Sequence, residues 1–133
     1  MAFVLDASTA IAWALREDHP PAAVAGELIA TEAALAPALW WFELRNGLIV
    51  NERRGRITAE ATRRFLQHVA ELPIALDRVP DEAAVMTLAR RHRLTVYDAS
   101  YLELALREAV PLATLDRPLA EAARAEGVVL VGG

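Results

Sequence analysis

The chain has 133 residues, 55% of them apolar and 24% charged, and no cysteine; it can bury a core without disulfides, and thiolate metal sites and cysteine nucleophiles are excluded. All 14 basic residues are arginine, which also excludes chemistry that needs a lysine amine, such as Schiff-base catalysis and P-loop nucleotide hydrolysis. With a formal net charge of −4, any contact with nucleic acid must rest on local arginine clusters and not on the overall field.

The chain opens on a strand-length apolar run, FVLD at 3–6, that ends in Asp6; no basic leader precedes it, so no secretory signal is expected. Helical periodicity follows at 8–16 and 20–31, with EDHPP as the turn between. ALAP at 34–37 reads as the second strand. In the helix expected at 39–53, Trp41, Leu44 and Leu48 share a face that should be buried, while Glu43 and Asn46 lie three apart on an adjacent one. The Trp40–Trp41–Phe42 cluster is expected to serve the core or a subunit contact, with one of Trp40 and Phe42 left partly exposed. After the ERRGRIT turn, with Gly55 as a stop and Thr58 as an N-cap, a helix is expected at 58–71. IALD at 74–77 is the third strand, followed by a helix at 81–92 capped by Asp81. LTVYD at 94–98 reads as a strand ending in Asp98, then a helix at 98–109, then LATLD at 112–116 as a strand ending in Asp116. A helix at 117–126 stops at Gly127, and VVLV at 128–131 is a further strand-length run. This alternation predicts one α/β domain, residues 1–133, with a mainly parallel sheet. The longest apolar stretch, AALAPALWWF, is broken by Pro37 and too short to cross a bilayer, so a cytoplasmic protein with no membrane span is expected.

Asp6, Asp98 and Asp116 each end an expected strand and precede an expected helix. In an open parallel sheet such strand ends lie along one edge, where α/β domains form their binding crevices. Glu43, early in the helix after the second strand, can lean over the same edge. The competing role for each Asp is an N-cap, worth about 1 kcal/mol, although Ser8 and Thr9 are available to cap the first helix; for Glu43 it is an ordinary solvated side chain. Four crowded carboxylates repel unless a cation lies among them, and hard oxygen donors suit Mg²⁺ or Mn²⁺. Such an ion activates water and stabilises charge on a phosphodiester. His19, His68 and His92 show no ligand spacing.

FVLDAST, with Asp6 and Ser8; WWFELRNGL, with Glu43 and Asn46; LTVYDASYLELA, with Asp98; and LATLDRPLAEAA, with Thr114 and Asp116, stand in an order and spacing that resemble the four motifs of PIN-domain ribonucleases. Within that group the chain is similar to the VapC toxins of bacterial and archaeal toxin–antitoxin pairs, over nearly its full length. The resemblance implies a three-layer α/β/α PIN-like domain with a five-stranded parallel sheet. It implies Mg²⁺- or Mn²⁺-dependent cleavage of RNA, with Asp6, Glu43, Asp98 and Asp116 as catalytic metal ligands. Ser8, Asn46 and Thr114 would orient the acids or bound waters. A homodimer and a cognate antitoxin partner are also implied.

Arginines cluster at Arg53, Arg54 and Arg56, at Arg63 and Arg64, and at Arg90, Arg91 and Arg93. Placement at helix C-termini accounts for two of these groups through the macrodipole, yet a guanidinium fork also suits phosphate, and Arg53, Arg54 and Arg56 are the candidate RNA contacts. The rival functions are a metal-dependent phosphatase or phosphoacceptor domain, a non-catalytic binding module, and a nuclease acting on DNA. Against the first stand the missing lysine and, in DAST, the missing second Asp of haloacid-dehalogenase-type phosphatases.

Overall fold

A computed structural model describes the whole chain, Met1–Gly133. Its centre is a sheet of four strands, β1 (Ala2–Leu5), β2 (Ala33–Pro37), β3 (Ile74–Asp77) and β4 (Leu112–Ala113), in the order β3-β2-β1-β4 with every pairing parallel. Phe3 stands opposite Ala34, Leu35 opposite Ala75, and Leu5 opposite Ala113. Phe3, Val4 and Leu5 are all buried, which explains why this central strand reads as an unbroken apolar run and not as an alternating one. The edge strand β3 is only half covered, and its Leu76 is exposed.

Seven helices complete the fold: α1 (Ala7–Leu15), α2 (Pro20–Leu28), α3 (Trp40–Arg53), α4 (Ala59–Val69), α5 (Glu82–His92), α6 (Val96–Glu108) and α7 (Arg117–Ala125). Helix α6 is buried continuously from Ala99 to Ala105; it packs on β1, β2 and β4 and is flanked by α5 and α7. On the other side α1 packs against α2 and α3. Thr58 and Asp81 cap α4 and α5 as their spacing suggests, accepting from the N–H groups of Ala61 and Ala84 at 3.1 Å. Gly55 and Gly127 both adopt positive φ at the ends of their helical segments.

Three expectations are corrected here. Residues 94–98 form no strand: Arg93 (φ 54°) ends α5 in the left-handed conformation, Leu94 N–H returns to Ala89 O at 3.0 Å, and Thr95 Oγ1 accepts the N–H of Asp98 at 3.0 Å to begin α6. Only three residues, Arg93, Leu94 and Thr95, separate the helices, and they serve as the C-cap of one, a connector and the N-cap of the next. Residues 128–131 contribute an isolated bridge between Leu130 and Leu112, so the sheet has four strands and not five. Along α3 the buried stripe is Trp40, Leu44, Leu48 and Asn51, while Trp41 is 45% exposed and Phe42 68%. Steps of four, four and three follow the helical period from Trp40; Trp41 lies one residue, about 100°, off that line.

Candidate metal centre

The site forms at the carboxyl edge of the sheet, where the β1–α1 and β4–α7 turns meet the first turn of α6 and α3 leans over them. Asp6 directly follows β1 and occupies the N-cap position of α1, yet its side chain caps nothing. Its Oδ2 instead accepts the hydroxyls of Ser8 at 2.7 Å and Thr114 at 2.6 Å. Each hydroxyl in turn accepts a backbone N–H at 3.0 Å, Ser8 from Leu115 and Thr114 from Asp116, which ties the β4–α7 turn to the β1–α1 turn. Asp116 does cap its helix, with Oδ2 accepting Leu119 N–H at 2.9 Å. The cap role therefore applies to Asp116 and not to Asp6. Asp98 stands in the first turn of α6, three residues after the cap Thr95, where a carboxylate is also favoured by the helix dipole. Glu43, in the first turns of α3, accepts the Tyr101 hydroxyl on Oε1 at 2.6 Å.

Asp6, Ser8, Glu43, Asn46, Asp98 and Asp116 line one open pocket of about 280 Å³, together with Ala7, Ile11 and Gly47. Thr114 is buried behind it, joined through Asp6. No basic side chain lines this pocket, and none of the four acids has an ion-pair partner in the chain. Asp77, which also ends a strand, is by contrast neutralised by Arg107 at 2.7 Å. A larger cavity of about 560 Å³, lined by Trp13, Arg16, Arg64, Phe65 and His68 among others, contains none of the acids. His92 pairs with Glu126, and His19 lies near Glu17, so no histidine reaches the acid pocket.

The electrostatics record the crowding. Burial, together with the charges of Glu43 and Asp98, pushes Asp6 up to about 6 even though two hydroxyls favour its ionised form. Glu43 is raised by burial and by Asp98, against the lowering effect of the Tyr101 hydroxyl. Asp98 is raised by burial and by Asp116. Burial, then the negative charge of Asp6 and Glu43, holds the Tyr101 hydroxyl far above the ordinary phenol range, so it is a proton donor.

The donors fit a hard divalent ion: all are carboxylate or neutral oxygen, and their charge is otherwise uncompensated. No three of the acids already close around a point as a finished cage. Tyr101 escapes the reading from sequence; its only signal is its place three residues after Asp98, on the same side of α6. Arg53, Arg54 and Arg56 are exposed at the end of α3 and in the following turn, have no acid partner, and do not line the pocket. Arg63 pairs with Glu60 and Arg91 with Glu126.

Comparison with known proteins gives a consistent result. The model of the PIN domain family matches residues 3–125. Ribonuclease VapC3 of Pyrobaculum aerophilum is 38% identical over 84 residues, a stretch equal to 60% of this chain and 63% of that relative's length. Among solved structures, PAE2754 from Pyrobaculum aerophilum superposes with a TM-score of 0.72 at 28% identity, covering 98% of this chain and 90% of that one. The Mycobacterium tuberculosis toxin VapC20, which cleaves the sarcin-ricin loop, shares the fold with a TM-score of 0.63 at 16% identity, over 90% of this chain and 94% of its own. A parallel sheet flanked by helices, acids drawn to its carboxyl edge and a family match over almost the entire chain lead to one assignment: the chain belongs to the PIN domain family.

Proposed function

We propose that residues 1–133 form one divalent-metal-dependent endoribonuclease domain and act as the toxin of a type II toxin–antitoxin pair. One observation carries this reading: four carboxylates from four separate segments line a single pocket that no basic side chain enters. Asp6, Glu43, Asp98 and Asp116 hold Mg²⁺ or Mn²⁺, and Ser8 and Thr114 fix the orientation of Asp6 through their hydroxyls. Asn46 lines the same pocket with its amide free to orient water or a phosphate oxygen. When bound, the ion lowers the pKa of a water and offsets charge on the scissile phosphodiester. The rest of the RNA follows the outer side of α3, where Asn46 and Arg53 stand two turns apart on one stripe and Arg54 and Arg56 extend the positive charge.

Likeness to a protein named as a VapC ribonuclease supports RNA as the substrate and a cognate antitoxin as the partner. The protein acts as a homodimer in the cytoplasm; no helix is long and apolar enough to cross a membrane. The direct test is Asp98→Asn, which removes one pocket charge and keeps the shape. Cleavage of RNA in Mn²⁺ should fall by more than about a hundredfold, since even the outer partners of metal ligands are worth 10–100-fold. Circular dichroism should be unchanged. Metal-dependent cleavage at the wild-type rate by this variant would refute the assignment.

A further inference from the structure

Three of the four acids are held in a common way. Asp6 Oδ2 takes the hydroxyls of Ser8 and Thr114, Asp116 Oδ2 takes Leu119 N–H, and Glu43 Oε1 takes the Tyr101 hydroxyl. In each, the protein's hydrogen bonds fall on one oxygen and the other has no protein donor, on a residue that lines the pocket. For Asp6 and Asp116 the donors come from neighbouring turns of the site itself. For Glu43 the donor is Tyr101, fully buried in α6 and 58 residues away in sequence, and Glu43 has no other protein donor. A glutamate with three side-chain torsions on a partly exposed helix face otherwise spreads over several rotamers. A rigid ring packed in the core removes that freedom at 2.6 Å.

Resting on the metal-nuclease reading above, we propose that Tyr101 is a positioning residue: its hydroxyl occupies Glu43 Oε1 and thereby presents Oε2 to the pocket as a single-oxygen ligand for the divalent ion. The hydroxyl touches neither metal nor substrate. It acts through Glu43, as outer partners of metal ligands generally do, by fixing orientation. Glu43 needs this support more than the other acids, because α3 is tied to the site by no other side-chain hydrogen bond.

The test is a calorimetric titration of the intact protein with Mn²⁺ alone, in the wild type, Tyr101→Phe, Glu43→Ala and the double variant. Tyr101→Phe keeps the ring in the core and deletes one oxygen, so its circular dichroism should match the wild type. Its Mn²⁺ affinity should fall about tenfold or more. In the Glu43→Ala background, Tyr101→Phe should cause no further loss, because the hydroxyl then has nothing to position. Wild-type affinity in Tyr101→Phe, or a loss that simply adds to that of Glu43→Ala, overturns the proposal. These failures leave the nuclease reading standing if Asp98→Asn abolishes cleavage; a wild-type protein that binds no Mn²⁺ removes both.

Discussion

At the scale of single residues, Asp6 shows what burying a carboxylate at the site costs the fold. Its carboxyl is pushed from an ordinary 3.8 to about 6, with burial as the largest cause. A folded-state value above the unfolded one means that the native state holds the proton more tightly. The resulting destabilisation is absent below about pH 4, grows as pH rises, and is complete above about pH 6. A shift of that size corresponds to roughly 3 kcal/mol at most. In metal-free buffer, Asp6→Asn should therefore be more stable than the wild type near neutral pH, and the gain should disappear toward pH 4, read from urea denaturation with a chelator present. A gain of equal size at both ends would show that the effect is not electrostatic. Asp6 and Asp116 are legible in sequence because strand ends in a parallel sheet share an edge, whereas Asp98 reaches the pocket from the first turn of α6 with no strand before it. Whether a given Asp caps its helix is not legible, since the two hydroxyls that draw Asp6 away include one 108 residues distant. Tyr101 is illegible for the same reason: its role depends on how closely α3 and α6 approach.

At the scale of elements, helix starts and stops are read more reliably than short strands, and LTVYD shows why. The β-branched and aromatic residues favour a strand, but Thr95-x-x-Asp98 has the spacing of a capping box, and the long apolar helix downstream prevails. Val96 and Tyr97 are accordingly left exposed on the first turn of α6. The packing of α1 on α3 depends on Gly47, where a Cβ would collide with Ile11 Cδ1 and come within 3.0 Å of Ile11 Cγ1. Alanine is favoured over glycine in a helix by about 1 kcal/mol, so the clash and the propensity oppose one another. Ile11 is partly buried against the core and two of its atoms, Cγ1 and Cδ1, stand in the way, so Gly47→Ala should be destabilising by about 1 kcal/mol net. In an Ile11→Ala background the obstruction is gone and the same change should become stabilising. Chemical denaturation of the four proteins reads the sign directly, and a destabilisation that persists without Ile11 would mean that the close approach of the helices is not what requires glycine.

At the scale of the whole molecule, alternating strands and helices suffice to anticipate a parallel α/β architecture, whereas the number of strands depends on pairings such as Leu112 with Leu130 that no local pattern announces. Charge distribution is the other whole-molecule property. A net charge of −4, with four acids in one pocket, opposes the approach of the RNA proposed as substrate, so local cations must overcome the field at short range. Arg53, Arg54 and Arg56 fit that task better than the other clusters because they have no acid partner, whereas Arg63 and Arg91 are already paired. They lie about 15 Å along α3 from Glu43, a distance that several nucleotides of extended RNA cover. Each phosphate contact to a single strand contributes about 0.7 to the slope of log affinity against log salt. Replacing all three arginines by glutamine in the Asp98→Asn protein, which is expected to leave RNA uncut, should weaken binding at low salt and flatten that slope by about 2. Mn²⁺ affinity should stay at the level of the parent, since the arginines stand outside the pocket. An unchanged salt slope would assign these arginines to the helix dipole alone and direct the path of the RNA elsewhere on the surface.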